Sequence, residues 1–287
     1  VGLGGGGIAG IYPFDEGVLF RPQKSGRSGP SLSEIRNGTY DYNGTASQVN
    51  NWKNDTSYLN ESNGGYLLWT VPATTTYRVE TYGPRGGNAH SNYQGGYGTH
   101  MRGDFAWTEG QTIKMLIGQQ GDTNYGGGGG MTAVSDTSNN PYIVSGAGNN
   151  TSPWNNTSIN ATTSTNGTSG SYGWYGSSGQ GGYSQAGTWG GAGFYGQPQG
   201  SESCGSTKGN SFTNGGQGGY SCNANGGFGG GSATDGCCYG ASGAGAGYSG
   251  GAGTGSSSQY GGGGGSINNG TNQSNTQSNE QYGIIKI

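Results

Sequence analysis

Short stretches in which apolar and polar residues alternate recur through the first half of the chain, and no stretch carries a convincing helical period. Val18-Leu19-Phe20 reads as a short strand. Tyr66 to Val71 reads as another, closed by Pro72, which suits a strand end because proline cannot donate to a ladder. Between Thr76 and Tyr82, Tyr77 and Val79 fall on one face and Arg78 and Glu80 on the other. Phe105 and Trp107 precede a Glu109-Gly110 turn, after which Ile113, Met115 and Ile117 share a face. Pro141 opens a strand over Tyr142 to Val144, and Gly283 to Ile287 supplies a closing one. Short strands with regular turn signals predict a mostly β fold, a sandwich or jelly roll, with little or no α-helix.

From about residue 170 to 265 the period changes from two to three. Glycine recurs at 173, 176, 179 and 182, at 187, 190, 193 and 196, and at 247, 250 and 253. A polyproline-II-type helix has three residues per turn, so these glycines line one edge and let backbones approach closely. Backbone N–H and C=O groups then point sideways, where neighbouring helices can pair them. Collagen is excluded, because the period breaks every few turns and proline is scarce. The expectation is a bundle of short polyglycine-II helices inserted into the β fold, sealed by Tyr and Trp. The five consecutive glycines Gly126 to Gly130, set between apolar strands, read as one more such segment.

The predicted organisation is an apolar-glycine arm over 1–16, a β-sandwich over 17–148 plus 276–287, and a polyglycine insertion over 149–275. The arm, with Leu3, Ile8, Ile11 and Phe14, either wraps its own domain or adds to a neighbouring subunit.

Composition narrows the function classes. Glycine accounts for 70 of 287 residues and only 9% are charged, which alone suggests low complexity. The 20 Tyr, 6 Trp and 6 Phe oppose that reading, because disordered segments are poor in aromatics. The net charge of −3, with eleven scattered Lys and Arg, gives no nucleic-acid footprint. No run of apolar residues is long enough to span a membrane. The chain opens at Val1 with no signal-like segment, which is the expectation for a processed, secreted chain.

Four cysteines, Cys204, Cys222, Cys237 and Cys238, lack the paired spacing of a zinc site. Two disulfides are expected, with adjacent Cys237 and Cys238 bonding outward to Cys204 and Cys222 in an order that the spacing leaves open. Asn-x-Ser/Thr sequons occur at Asn37, Asn43, Asn54, Asn60, Asn149, Asn150, Asn155, Asn156, Asn160, Asn166, Asn269 and Asn272. They cluster in polar, turn-rich stretches, where N-glycans sit. Cysteines and sequons together predict an extracellular glycoprotein carrying covalent N-glycans.

Candidate chemistry is thin. The glycines from Gly118 to Gly130 are not followed by the lysine of a phosphate-binding loop. His90 and His100 stand in no nucleophile-elbow context, and with Asp104 they match no recognised metal spacing. Carboxylates such as Asp15, Glu16, Asp104 and Glu109 are sparse, so nothing recommends paired-carboxylate hydrolysis. The expectation is a protein with no catalytic, cofactor or metal site.

The blocks "WTVPATTTYRVETYGPRGG", "GDFAWTEGQTIKMLIGQQGDTNYGGGGGMTAV" and "PYIVSGAGN" resemble the glycine-rich extracellular region of the anaplastic lymphoma kinase and leukocyte tyrosine kinase receptors. So do "EGVLF", "SGRSGPSLSEI" and "GGYSCNANGGFGGGSATDGCCYGASGAGAGYSGG". The likeness runs over roughly 17 to 287 and leaves the arm outside. It implies a TNF-like β-sandwich carrying an inserted polyglycine bundle, and in the receptors this region binds protein cytokines. The functional expectation is a secreted structural subunit that self-assembles into a fibre or coat. The alternative is a binding module, either a receptor-like ectodomain for a protein ligand or a phage-type adhesin that reads surface glycans.

Overall fold

The computed structural model describes residues 17–41, 52–62, 64–89, 93–123, 125–151, 158–185, 187–200, 205–222, 224–234, 241–255 and 259–287. In chain order the strands are β1 (Val18–Phe20), β2 (Thr39–Asp41), β3 (Leu59–Ser62), β4 (Tyr66–Thr70), β5 (Thr75–Tyr82), β6 (Gly98–Trp107), β7 (Thr112–Leu116), β8 (Thr132–Asp136), β9 (Pro141–Ser145), β10 (Ile267–Asn268), β11 (Thr271–Ser278) and β12 (Ile284–Lys286). They form two six-stranded sheets, ordered β11-β6-β5-β12-β1-β2 and β10-β9-β8-β7-β4-β3. Every strand pairing is antiparallel.

The two sheets face each other across one apolar core. The first sheet sends in Val18, Phe20, Val79, Met101, Phe105, Trp107 and Ile285, and the second sends in Leu59, Leu67, Trp69, Ile113, Met115, Val134 and Ile143. Alternation along β6 does this directly: Met101, Phe105 and Trp107 are buried while His100, Arg102 and Asp104 face outward, half-buried. Trp69, Tyr77 and Trp107 pack as a three-ring cluster with centroids 5.5 to 5.9 Å apart. The predicted mostly β sandwich is therefore the fold.

The second sheet is buried on both faces. Its remaining side chains, Tyr66, Leu116, Ala133 and Val144, meet Phe194, Phe212, Phe228 and Ala246 of the glycine-rich region. Phe194 and Phe212 stack at 4.3 Å, and Tyr66 meets Phe212 edge-on at 5.2 Å. The Tyr66 hydroxyl donates to the Phe212 carbonyl. Burial on both sides explains why Met115 to Ile117 and Met131 to Val134 are unbroken buried runs.

Backbone hydrogen bonds in the glycine-rich region run laterally, from each segment to several others. Gly128, Gly129 and Gly130 donate in turn to Ser232 (2.8 Å), Gly148 (3.1 Å) and Gln119 (3.0 Å), three different neighbours. A period of three returns each segment to the same neighbour. Gly245 and Tyr248 donate to Gly262 and Gly265, while Gly191 and Phe194 donate to Gly251 and Tyr248. Glycine is required here because the backbones touch. A methyl group at Gly130 or Gly250 would lie 1.8 Å from the carbonyl oxygen of Phe228 or Gly191.

The expectation of little or no α-helix holds: among the described residues there is one short helix, α1 (Leu32–Asn37), opened by a capping box in which Ser31 and Glu34 cap each other's backbone N–H. The pattern Ser-x-x-Glu before Ile35 carries that signal in the sequence. The sandwich resumes at β10 and β11, because Ile267 pairs with Val144 and Gln277 with Thr99, so the insertion ends before 267 and not at 275. Beyond Gly126 to Gly130, other glycines outside the insertion join the lattice. Gly83, Gly86, Gly87, Gly118, Gly121 and Gly146 to Gly148 press on the same backbone network.

Candidate functional site

Edges decide what a sandwich can do with another chain, because an edge strand presents unpaired N–H and C=O groups. Three of the four edges described here are short: β2 has three residues, β3 four and β10 two. The fourth, β11, has eight residues, Thr-Asn-Gln-Ser-Asn-Thr-Gln-Ser, with no charge and no proline. Six of the eight are exposed. A bulge between Thr271 and Ser274 distorts its start, and from Ser274 to Ser278 it pairs regularly with Arg102 back to Gly98. Among the described residues, the backbone of its outer edge pairs with no other segment.

Beside the end of β11 lies a shallow cleft of about 440 Å³ lined by Tyr82, Tyr97, His100, Gln277, Ser278, Asn279 and Glu280. Its floor is the outer face of the first sheet. Tyr82 stacks on His100 at 4.1 Å with an interplanar angle of 6°. Both rings share Glu80, whose Oε2 accepts from the Tyr82 hydroxyl (2.8 Å) and lies 3.0 Å from His100 Nε2. The contact with His100 outweighs burial, which alone would raise the Glu80 carboxyl; with help from Tyr82 and Lys286 it holds the group down at about 2. Arg85 lies 4.7 Å over the Tyr97 ring and donates to Gln94 at 2.6 Å. Further along the same face, Arg78 Nε donates to Asp104 at 2.9 Å. The cluster is a charged, well-paired surface with its carboxylate ionised.

A second cleft, about 580 Å³, runs between α1 and the loop around Asn210 to Gln217. It holds two carboxylates, and both act structurally. Glu34 Oε2 accepts from Lys24 Nζ (2.8 Å) and Ser31 N (2.7 Å), interactions that lower its carboxyl from the usual range. Glu61 Oε2 accepts from Leu32 N at 2.7 Å. Both therefore cap the entry to α1. Among the described residues, no group of three His, Cys, Asp or Glu is placed to hold a metal ion, and no helix is long and apolar enough to cross a membrane.

The sequons divide sharply. Asn37, Asn54, Asn60, Asn166, Asn269 and Asn272 are exposed, and Asn160 is half-buried with its Nδ2 donating to Gln277 at 2.9 Å. Asn149 and Asn150 are fully buried inside the glycine lattice. Asn149 Nδ2 donates to Gly261 O at 2.9 Å and its Oδ1 accepts from Ile159 N at 2.7 Å. Asn150 Nδ2 donates to Tyr125 O and Thr151 O, while its Oδ1 accepts from Gly243 N. A sugar on either nitrogen has no space in this fold, so these two are corrected from glycan acceptors to lattice pins. Asn43, Asn155 and Asn156 lie outside the described residues, as do Leu3, Ile8, Ile11 and Phe14 of the arm. Cys204, Cys237, Cys238 and His90 also lie outside them, and Cys222 is exposed. The long polar edge strand was not read from the sequence. Its alternation is of Asn, Gln, Ser and Thr, with no apolar face to reveal it.

No family model matches this chain.

Proposed function

We propose that this protein is a secreted, N-glycosylated structural subunit that assembles with copies of itself into an extracellular fibre or coat and performs no catalysis. The observation that carries the reading is β11, a long, uncharged, exposed edge at the end of a six-stranded sheet. Sheet edges of this kind are normally guarded by charge, proline or brevity, and strand addition from another chain satisfies them through backbone bonds. The donor in this proposal is the arm with Leu3, Ile8, Ile11 and Phe14 of the neighbouring subunit. The glycine lattice supports the reading by bracing the sandwich from behind, since it seals the outer face of the second sheet. Exposed sequons support an extracellular setting, with disulfides proposed among Cys204, Cys222, Cys237 and Cys238. The sandwich with a glycine lattice built on it also supports the proposed kinship with the glycine-rich region of the receptor kinases.

The test is assembly followed by light scattering and negative-stain electron microscopy. Deletion of residues 1 to 14 leaves a folded, dispersed monomer if the arm is the donor; normal filaments from the deletion overturn that role. Asn275→Lys places a charge on the exposed edge without touching the core and blocks addition at β11. Filaments from this variant matching wild type overturn β11 as the acceptor.

A further inference from the structure

Aromatic side chains stand out on the glycine lattice where its backbone reaches the surface. Tyr172 is 53% exposed, Trp174 59%, Tyr175 44% and Tyr195 40%. Large aromatic residues are normally well covered; here Tyr172, Trp174 and Tyr175 follow one another along one exposed segment, and the Tyr195 ring packs on Gly179 four residues further on. These rings sit on paired backbone. Trp174 O accepts from Tyr183 N at 2.7 Å, Gly176 N donates to Gly250 O at 2.8 Å, and Tyr195 N donates to Gly179 O at 2.9 Å. Tyr183 packs against Trp174 at 5.3 Å, and the Tyr195 ring fills the space where Gly179 has no side chain. The ridge therefore presents its rings from a fixed backbone, and little ordering remains to be done on binding.

The chemistry around the rings selects the ligand. From Gly170 to Gly200 the chain has no Asp, Glu, Lys, Arg or His, and the charge from elsewhere in the fold that reaches the platform is negative: burial, with Tyr248 and Asp136, raises the Tyr195 hydroxyl. The exposed polar neighbours are hydroxyls and amides: Ser177, Ser178, Gln180 and Gln199. A nucleic acid or an anionic membrane requires basic residues, and a protein interface with this aromatic content is enriched in arginine. A neutral sugar ring needs neither. Its C–H face covers an aromatic ring, and its hydroxyls pair with amide and hydroxyl side chains.

We propose that the ridge of Tyr172, Trp174, Tyr175 and Tyr195 is a binding platform for neutral polysaccharide, of the extended β-1,4-linked type whose ribbons expose flat C–H faces. This role is independent of assembly through β11, since the ridge is carried by the glycine lattice and contributes no residue to β11.

The test is retention of the full chain on cellulose and on chitin, with the matching hexasaccharides as soluble competitors, and with assembly scored separately by light scattering. Wild type is retained and is released by competitor. Trp174→Ala weakens retention about tenfold, as expected for one lost ring contact, and Trp174→Phe recovers part of it. Because Trp174 is exposed, the variant keeps the wild-type circular dichroism and unfolding midpoint. Failure of wild type to bind either polysaccharide overturns the proposal, and so does undiminished retention of Trp174→Ala. If Trp174→Ala disperses the assemblies while polysaccharide retention is unchanged, the ridge is a contact between copies and the proposal is likewise overturned.

Discussion

Gly128→Ala is the most direct probe of the glycine lattice. Gly128 does not occupy the left-handed region, so an alanine there is free of backbone strain and the cost is purely one of space. The added methyl carbon would lie 1.9 Å from the carbonyl oxygen of Ala244 and 2.4 Å from its carbonyl carbon. A carbon normally keeps about 3.3 Å from a carbonyl oxygen, so the segments must part by roughly 1.4 Å. That opening lies among Gly128 N to Ser232 O (2.8 Å), Gly227 N to Gly128 O (2.9 Å) and Ser232 N to Ala244 O (3.1 Å). Each buried group left unpaired costs about 1–3 kcal/mol, while the stiffer unfolded chain returns about 0.4–1 kcal/mol. With two such groups lost, the net destabilisation is about 1–5.5 kcal/mol, with its upper half a large share of the roughly 5–15 kcal/mol that a folded domain holds. Gly110→Ala is the counterpart: φ there is +80° and nothing lies within 4 Å of the new methyl, so the left-handed penalty of about 1–2 kcal/mol acts alone. Guanidinium unfolding followed by tryptophan fluorescence gives both values through linear extrapolation. A Gly128→Ala variant within about 0.5 kcal/mol of wild type, or no worse than Gly110→Ala, would refute backbone-on-backbone packing.

Two further outcomes follow from the surface and the sequons. Glu80, held at about 2 against an ordinary value of 4.5, contributes stability that is complete above 4.5 and lost as pH falls towards 2, roughly 3 kcal/mol in all. Glu80→Gln should be less stable at pH 7 and show a smaller loss across that window; equal acid sensitivity in the two proteins would refute the pairing with His100. Glycopeptide mass spectrometry of protein from a glycosylating secretory host should find sugar among Asn37, Asn54, Asn60, Asn166, Asn269 and Asn272 and none at Asn149 or Asn150. Occupancy at Asn149 or Asn150 in folded material would contradict their burial.

The sequence by itself determined the building blocks. Alternation marked β5 and the end of β6, because Val79, Phe105 and Trp107 have one buried face to fill. The threefold spacing of glycine marked where backbones pack closely, because glycine leaves no side chain between neighbouring segments. Tertiary structure decided which segments meet. Nothing local tells Gly128 that its neighbours are Ser232 and Ala244, since one glycine segment looks like another and the choice is made by closure of the whole lattice. The same closure buried Asn149 and Asn150, whose sequons look no different from the exposed ones. It also made a strand of β11, where pairing with β6 and not side-chain burial sets the conformation. Hydrophobic pattern is legible when a side chain must choose a face. Backbone pairing among glycines and amides leaves no such mark, so its partners are known only once the chain has folded.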